Sequence, residues 1–330
     1  QINSDRTAFA LRHAYGTLGP LLAGQYFSLF EDLAAAPETL DFGGAIAVAG
    51  PLRLPQIRYV YDMGHGLTLA GSAENPQTVM VNAHPTDHGA ASNVQPVLGS
   101  STFGLGQGDK IPDFVGAVIF SQGPGHIAFR GVLRDLYAHN PTTANITNSA
   151  LAAPNGTGFA NQNASTLGWG AGISGDYHVF GKDDILGEIN GGYGIGRYIT
   201  NTGNTQADSI QSSAGNTLTA VPAWAANLGY QHWWTDNLRS TLEGSVIFQN
   251  WQNSAFAITG ANAATIAAMN SNVGQFGSLT HRELSTHVNL IWSPVPAIDL
   301  GYEFIWEQRK IEAGNSGQLV RSQISTKFKF

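Results

Sequence analysis

The chain has 330 residues, of which 12% are charged, a net charge of −7, and 40 glycines, 7 tryptophans, 10 tyrosines and 16 phenylalanines without a single cysteine. Soluble proteins usually carry about a quarter charged residues, and acidity this diffuse, with no basic stripe, argues against nucleic acid as a partner. The lack of cysteine excludes disulfides and thiolate metal sites, and no apolar run reaches the roughly eighteen residues of a membrane-spanning helix.

Two classes remain, a soluble all-β protein and a membrane β-barrel, and the period of the apolar residues chooses between them. Near the start, Phe9, Leu11 and Tyr15 oppose Ala10, Arg12 and Ala14. A strand is predicted near 20–30, an acidic loop over 30–52, and two strands flank the turn Asp62–Gly66. Another strand near 113–122 leads to the turn Gly123–Gly125. At 167–177, Leu167, Trp169, Ala171, Ile173 and Tyr177 face away from Gly168, Gly170, Gly172, Ser174 and Asp176. Around 223–234, Trp224, Leu228, Tyr230 and Trp234 share one face; over 238–248, Leu242, Val246 and Phe248 oppose Arg239, Thr241, Glu243 and Ser245. Val288, Leu290 and Trp292 then oppose His287 and Asn289. Ile298, Leu300, Tyr302, Phe304 and Trp306 alternate with Asp299, Gly301, Glu303, Ile305 and Glu307, and the same period runs from Val320 to Phe330.

A period of two is the mark of strands with one apolar face. Large aromatics sit near the strand ends, as an interfacial girdle requires, and runs of about ten residues match a tilted crossing of the hydrocarbon layer. In lipid only a closed barrel satisfies every backbone group. The prediction is an all-β, transmembrane, antiparallel up-and-down barrel with about thirteen strands in this chain, residues 1–330 forming a single domain. Short turns (62–66, 123–125, 182–184, 235–237, 293–297) alternate with long polar loops near 30–52, 75–112, 140–165, 200–220 and 250–280. Short turns belong on the periplasmic side, so the first and last visible strands both run inward. The opening residues do not read as a signal peptide, so Gln1 is expected to belong to a mature or truncated chain. Bacterial barrels have an even strand number, so N-terminal strands are expected to be missing, most simply three of a total of about sixteen.

Residues 8–43, AFALRHAYGTLGPLLAGQYFSLFEDLAAAPETLDFGG, resemble the DcaP-like trimeric porins of Gram-negative bacteria. PQIRYVYD at 55–62, GYQHWWTDNLRS at 229–240 and VNLIWSPVPAIDLGYEF at 288–304 extend the likeness to the middle and the far end. The resemblance implies a sixteen-stranded homotrimer in the outer membrane that passes small solutes, often anions such as dicarboxylates. It also implies lipid and lipopolysaccharide as surroundings, and no cofactor or enzymatic activity.

Function in such a barrel lies at the narrowest part of the lumen, where opposed charges set selectivity. The loop at 30–52, expected to fold into the lumen as a constriction, carries Glu31, Asp32, Glu38 and Asp41. Strand parity puts Arg12, Arg58, Arg130, Arg134 and Arg321 on the lumen face, with a second acidic set, Glu188, Glu243, Glu283, Glu303 and Glu307. Opposed loop acids and wall arginines would give a transverse field; the plainer alternative is that the arginines merely hold the loop. His13 is expected outward, at an oligomer interface. His84 and His88 lack a third metal ligand of known position, and Gly191, Gly192, Gly194 and Gly196 imitate a dinucleotide loop without its helix. Asn145, Asn155 and Asn163 lie in acceptor-like triplets without weight in a bacterial loop, and 258–270 is a short helix candidate. The competing functions are an adhesin or receptor acting through its external loops, and a barrel hydrolase built on Ser285 and His287, which share a face.

Overall fold

The computed structural model describes residues 11–41, 43–47, 52–78, 80–82, 110–139, 163–199, 208–211, 218–250, 280–311 and 314–329. In chain order the strands are β1 (Ala14–Leu18), β2 (Leu21–Phe27), β3 (Arg53–Gly64), β4 (Leu67–Glu74), β5 (Met80–Asn82), β6 (Asp113–Gln122), β7 (Gly125–His139) and β8 (Asn163–Phe180). They continue as β9 (Asp183–Tyr193), β10 (Ser209–Gln211), β11 (Leu218–Ala220), β12 (Pro222–Thr235), β13 (Leu238–Gln249), β14 (Thr280–Val295), β15 (Ile298–Ile311) and β16 (Ser316–Phe328). All but the short β5, β10 and β11 join one 13-stranded sheet, paired antiparallel in chain order from β1 to β16. That is the expected number and the expected up-and-down topology. Among the described residues no pairing joins β1 to β16.

The predicted short turns are all found, between β3 and β4, β6 and β7, β8 and β9, β12 and β13, and β14 and β15. Several carry a register shift just before the turn, at Asp62/Gly64, His178/Phe180, Trp233/Thr235 and Trp292/Val295, bulges that tighten the twist where the chain reverses. Gly66 shows why glycine is needed there: its φ is +79°, and a Cβ would stand 2.1 Å from the Ser121 carbonyl oxygen.

At the opposite end β10 pairs parallel with β5 and antiparallel with β11. The stretches 75–112 and 200–220, predicted as loops, therefore contain strands. Three-residue elements are too short for a period to show. The helix candidate 258–270, His84, His88, Asn145 and Asn155 lie outside the described residues.

The two faces of the sheet differ as the alternation requires. Ile57, Tyr59, Phe129, Leu167, Leu228, Leu242, Leu290 and Tyr302 are exposed on the outer face. Trp169, Tyr193 and Trp224 cluster at the long-loop end, and Tyr177, Trp234 and Trp292 at the short-turn end, as two aromatic girdles. The core is inside. Val115, Ala117, Val132, Ala223, Ala225 and Ile247 point inward and pack with Leu29, Phe30, Ile46, Ala47, Ile195, Tyr198 and Ile199. One sector of the interior is thus a packed apolar wedge between the sheet and two connections, a feature absent from the predicted polar lumen.

Candidate functional site: the inward segment and its anchors

Antiparallel register sets which side chains share the inner face, because directly opposed residues point the same way. Glu243 stands opposite His287, Asn289 opposite Glu303, and Arg130 opposite Gly172. Against this face lies the connection after β2, residues 28–47. It contains a single turn of 3-10 helix, Leu33–Ala35, with the Asp32 carboxylate accepting from the Ala34 N–H at 3.3 Å.

The segment leaves β2 at Glu74, whose carboxylate accepts from the Ser28 hydroxyl (2.7 Å), the Leu29 N–H (2.8 Å) and the Ser72 hydroxyl (2.8 Å). Glu31 accepts from the Leu52 N–H through one oxygen, and its other oxygen is buried without a hydrogen-bond partner. Burial first, then the charges of Glu74 and Glu188, push the Glu31 carboxyl well above its ordinary range, against the opposing pull of the Leu52 N–H.

Asp32 makes the first anchor. Its Oδ2 accepts from the Ser174 hydroxyl at 2.5 Å and lies 2.7 Å from His126 Nε2 and 3.8 Å from Arg130 Nη2. The other ring nitrogen of His126 contacts Asp176, and Arg130 also donates to Ser174. Burial alone would raise the Asp32 carboxyl, but the bonds from Ser174 and His126 and the Arg130 charge outweigh it and hold the group below its usual value.

Farther on, Pro37 packs on Gly229, where a Cβ would come within 2.6 Å of it. Glu38 receives both Nε and Nη2 of Arg239 at 2.7 Å, and Gln231 Nε2 at 2.8 Å. Such a two-pronged guanidinium–carboxylate pair is strong and directional. Asn289 donates to the Glu38 carbonyl oxygen at 2.7 Å. The N–H groups of Leu40 (2.5 Å) and Asp41 (2.7 Å) donate to Glu303, whose other oxygen is 2.7 Å from His287 Nδ1. Asp41 pairs with Arg321 at 2.5 Å, and Asn227 donates to the Ala47 carbonyl oxygen at 3.3 Å. These contacts carry the segment across the inner face from β4 to β16.

Each acid of the segment is thus bonded to the wall, apart from Glu31, which is bonded at the base of the segment itself. The expected arrangement of free acids facing free arginines across open water is not what the geometry shows. Arg134 is the clearest departure. Fully buried, it bonds Asp113 (3.0 Å), Asp208 (2.9 Å) and the carbonyls of Gln77 and Gly194. Arg197 reaches the same Gln77 carbonyl at 2.9 Å, and the Tyr198 hydroxyl donates to Asp113 at 2.8 Å. Arg134 clamps the long-loop end and lines no open passage, because a buried guanidinium is stable only when its donors are met.

Arg12 also departs from expectation. Register places Ala14 on the face of Gln25 and Pro55, which alternates with inward Gln56 and Arg58. Arg12 precedes that strand and lies near enough to Arg53 for the two cations to interact. The phase predicted for residues 9–15 is therefore reversed where the strand is paired. His13 accepts from Arg53 Nε at 3.1 Å and packs edge-on to Phe27.

The remaining candidates sit on the inner face. Arg58 bonds Gln56 (2.9 Å) and the Phe27 carbonyl. Arg130 lies 3.9 Å from Glu188, which also accepts from Asn190 and Asn227. Glu283 takes bonds from Thr280 and, at 3.5 Å, the charge of Arg309, while Glu307 stands opposite Leu319. Glu243 is buried with neither carboxylate oxygen hydrogen-bonded. Ser285 bonds Ser245 at 2.6 Å and not His287. Among the described residues no group of three potential ligands is placed to hold a metal ion.

Sequence reasoning passed over His126, Ser174, Arg239, Asn289 and Glu74 as partners of the segment. Parity put Arg239 on the face opposite Leu242, but nothing local could match it to an acid 201 residues away.

The family profile of the DcaP outer membrane protein matches residues 139–330. In fold the chain is similar to the outer membrane channel DcaP of Acinetobacter baumannii, with a TM-score of 0.73 and 21% identity over 99% of this chain and 77% of that one. Pseudomonas putida OprB gives a TM-score of 0.49 and 12% identity over 93% of this chain and 69% of that one. The anion-selective porin from Comamonas acidovorans gives 0.46 and 9%, covering 93% and 72%. No curated protein matches the sequence.

Proposed function

The chain belongs to the DcaP outer membrane protein family, and from that premise we propose that it is a passive diffusion channel for small hydrophilic solutes, constricted by residues 28–47. The observation that carries the reading is the line of anchors from Glu74 to Arg321, which lays one segment along the inner face of six wall strands, β4, β8 and the four neighbours β13 to β16. A connection that served only as an external loop would have no reason to spend its acids on inward residues. A narrowing that leaves a passage beside it is the simplest use of such a segment in an outer-membrane barrel. Small anions such as dicarboxylates are the favoured solutes in this reading, and the protein works as a homotrimer amid lipid and lipopolysaccharide.

Selectivity falls to those lumen cations that either bond no carboxylate or keep an exposed face beside one. Arg58 spends its bonds on a carbonyl and on Gln56, and Arg321 remains partly exposed beside Asp41. They are the residues of choice for attracting an anion, because a guanidinium is charged at any working pH.

The test is single-channel conductance of the purified protein in a planar bilayer, followed by reversal potential in a salt gradient. Stable steps in groups of three support an open trimeric channel; absence of conductance overturns it. Arg58→Ala together with Arg321→Ala should move the reversal potential toward cations, and an unchanged value would remove the anion preference.

A further inference from the structure

We propose that His126 is a pH-sensitive latch that fastens residues 28–47 to the wall, a reading that rests on the channel function above. The argument is one of proton count. His126 Nε2 lies 2.7 Å from Asp32 Oδ2, and Nδ1 contacts Asp176 Oδ1. Ionised carboxylates only accept hydrogen bonds, and a neutral imidazole has one N–H to give. The ring can serve both acids only as the imidazolium cation.

The groups around the ring favour that cation. Asp32 faces it from the segment and Asp176 from β8, while Arg130 lies two turns of the pleat along β7 with Glu188 of β9 behind it. The residue opposed to it on β6 is the uncharged Ser121. Two carboxylates therefore act on the ring directly, and the nearest cation is already shared between Asp32 and Glu188.

On deprotonation one bond must go, and the geometry says which. Asp176 is the register partner of His126 on the adjacent strand and also accepts its backbone N–H at 3.2 Å. That bond lies within the rigid wall. The bond to Asp32 is the one that ties a connection to the wall, so it is the one lost. The far end of the segment is held by Arg239 and Arg321, which stay charged throughout. Raising the pH then loosens the segment at Asp32 alone, between the Glu74 bonds to Ser28 and Leu29 on one side and the arginine anchors on the other.

The experiment follows conductance from about pH 5 to pH 8, the range in which an imidazole titrates. A dye on Ala34→Cys, in a chain otherwise free of cysteine, reports segment motion by anisotropy whether or not the pore conducts. In the parent protein anisotropy should fall and conductance rise with pH. Loss of one charged hydrogen bond raises the detached population on the order of tenfold. His126→Arg keeps two donors at every pH and should hold the low-pH state throughout; His126→Gln should show the high-pH state throughout. A His126→Arg protein that titrates like the parent, or a parent with no anisotropy step, overturns the latch. An anisotropy step without conductance in any variant supports the latch and breaks the channel reading instead.

Discussion

The two ends of residues 28–47 are fastened by different chemistry. At the near end Asp32 is held by an imidazole, a hydroxyl and a more distant guanidinium. At the far end Glu38 and Asp41 are held by arginines, and the backbone of Leu40 and Asp41 by the buried Glu303. At the near end the contact of His126 with Asp32 depends on the charge of an imidazole; at the far end the arginine pairs do not, although His287 also bonds Glu303. The same segment is therefore hinged at the far end and pH-sensitive at Asp32 near the other, where Glu74 still fixes Ser28 and Leu29.

The largest effect is expected from the far end. Arg239→Ala removes both prongs on Glu38 and the bond to Ser293 at 3.0 Å. Breaking a buried ion pair by removing one partner costs about 3–5 kcal/mol, and Glu38's partial exposure lowers the figure to roughly 2–3 kcal/mol. Urea unfolding of the folded barrel in detergent should show this loss, and conductance should rise as the segment comes away. Glu303→Ala comes next. It strands the N–H groups of Leu40 and Asp41 and the ring of His287, at about 1.5–3 kcal/mol for hydrogen bonds to a charged group. If either variant were as stable as the parent, the far end would not be the permanent hinge.

Much of this fold was legible in the alternation of residues such as Leu242 against Glu243, because an outer lipid face and an inner wet face impose a strict period of two. The turns were legible too, through residues such as Gly66 and Asn237. The candidate site was legible only as a set of charges. Glu38 was visible as an acid and Arg239 as a lumen-facing residue, yet their pairing follows from strand order around the sheet, which no local pattern contains. Inward apolar residues such as Val132 and Ile247 were not legible for a related reason: they are buried by connections whose path the sequence does not state. Arg134 looked identical to Arg58 in sequence, and only the arrival of Asp113 and Asp208 distinguishes clamp from pore lining.

Sterics offer a second probe of the far end. A methyl group on Gly229 would meet the rigid ring of Pro37 at 2.6 Å, whereas one on Gly301 would meet the flexible end of Leu40 at 2.5 Å. Gly229→Ala should cost about 1–3 kcal/mol by overpacking, and Gly301→Ala less, since Leu40 can turn away. Equal losses in urea unfolding would mean that Pro37 is not a fixed point of the segment.

Acid should weaken the near end as base does, through Asp32 itself. The folded-state Asp32 carboxyl is held below its ordinary value, so its contribution is complete above the unfolded value of about 4 and is lost as pH falls through the folded one. The near end should therefore weaken on the acid side as well as above neutrality, giving a maximum between. Dye anisotropy at Ala34→Cys should trace that maximum, and Asp32→Asn should abolish its acid limb.

The smallest single effect, and the sharpest test of independence, is expected at Ser174. Ser174→Ala removes one donor to Asp32 and one acceptor for Arg130, about 1 kcal/mol if water enters beside the guanidinium. Ser174 and Arg239 share no bonded partner, so Ser174→Ala combined with Arg239→Ala should lose the sum of the two within about 0.5 kcal/mol. Ser174→Ala combined with His126→Gln acts twice on the same carboxylate, and there a coupling of roughly 0.5–3 kcal/mol is expected. If the coupling appeared across the ends and not within the near end, the segment would be one rigid strut rather than a hinge with a latch.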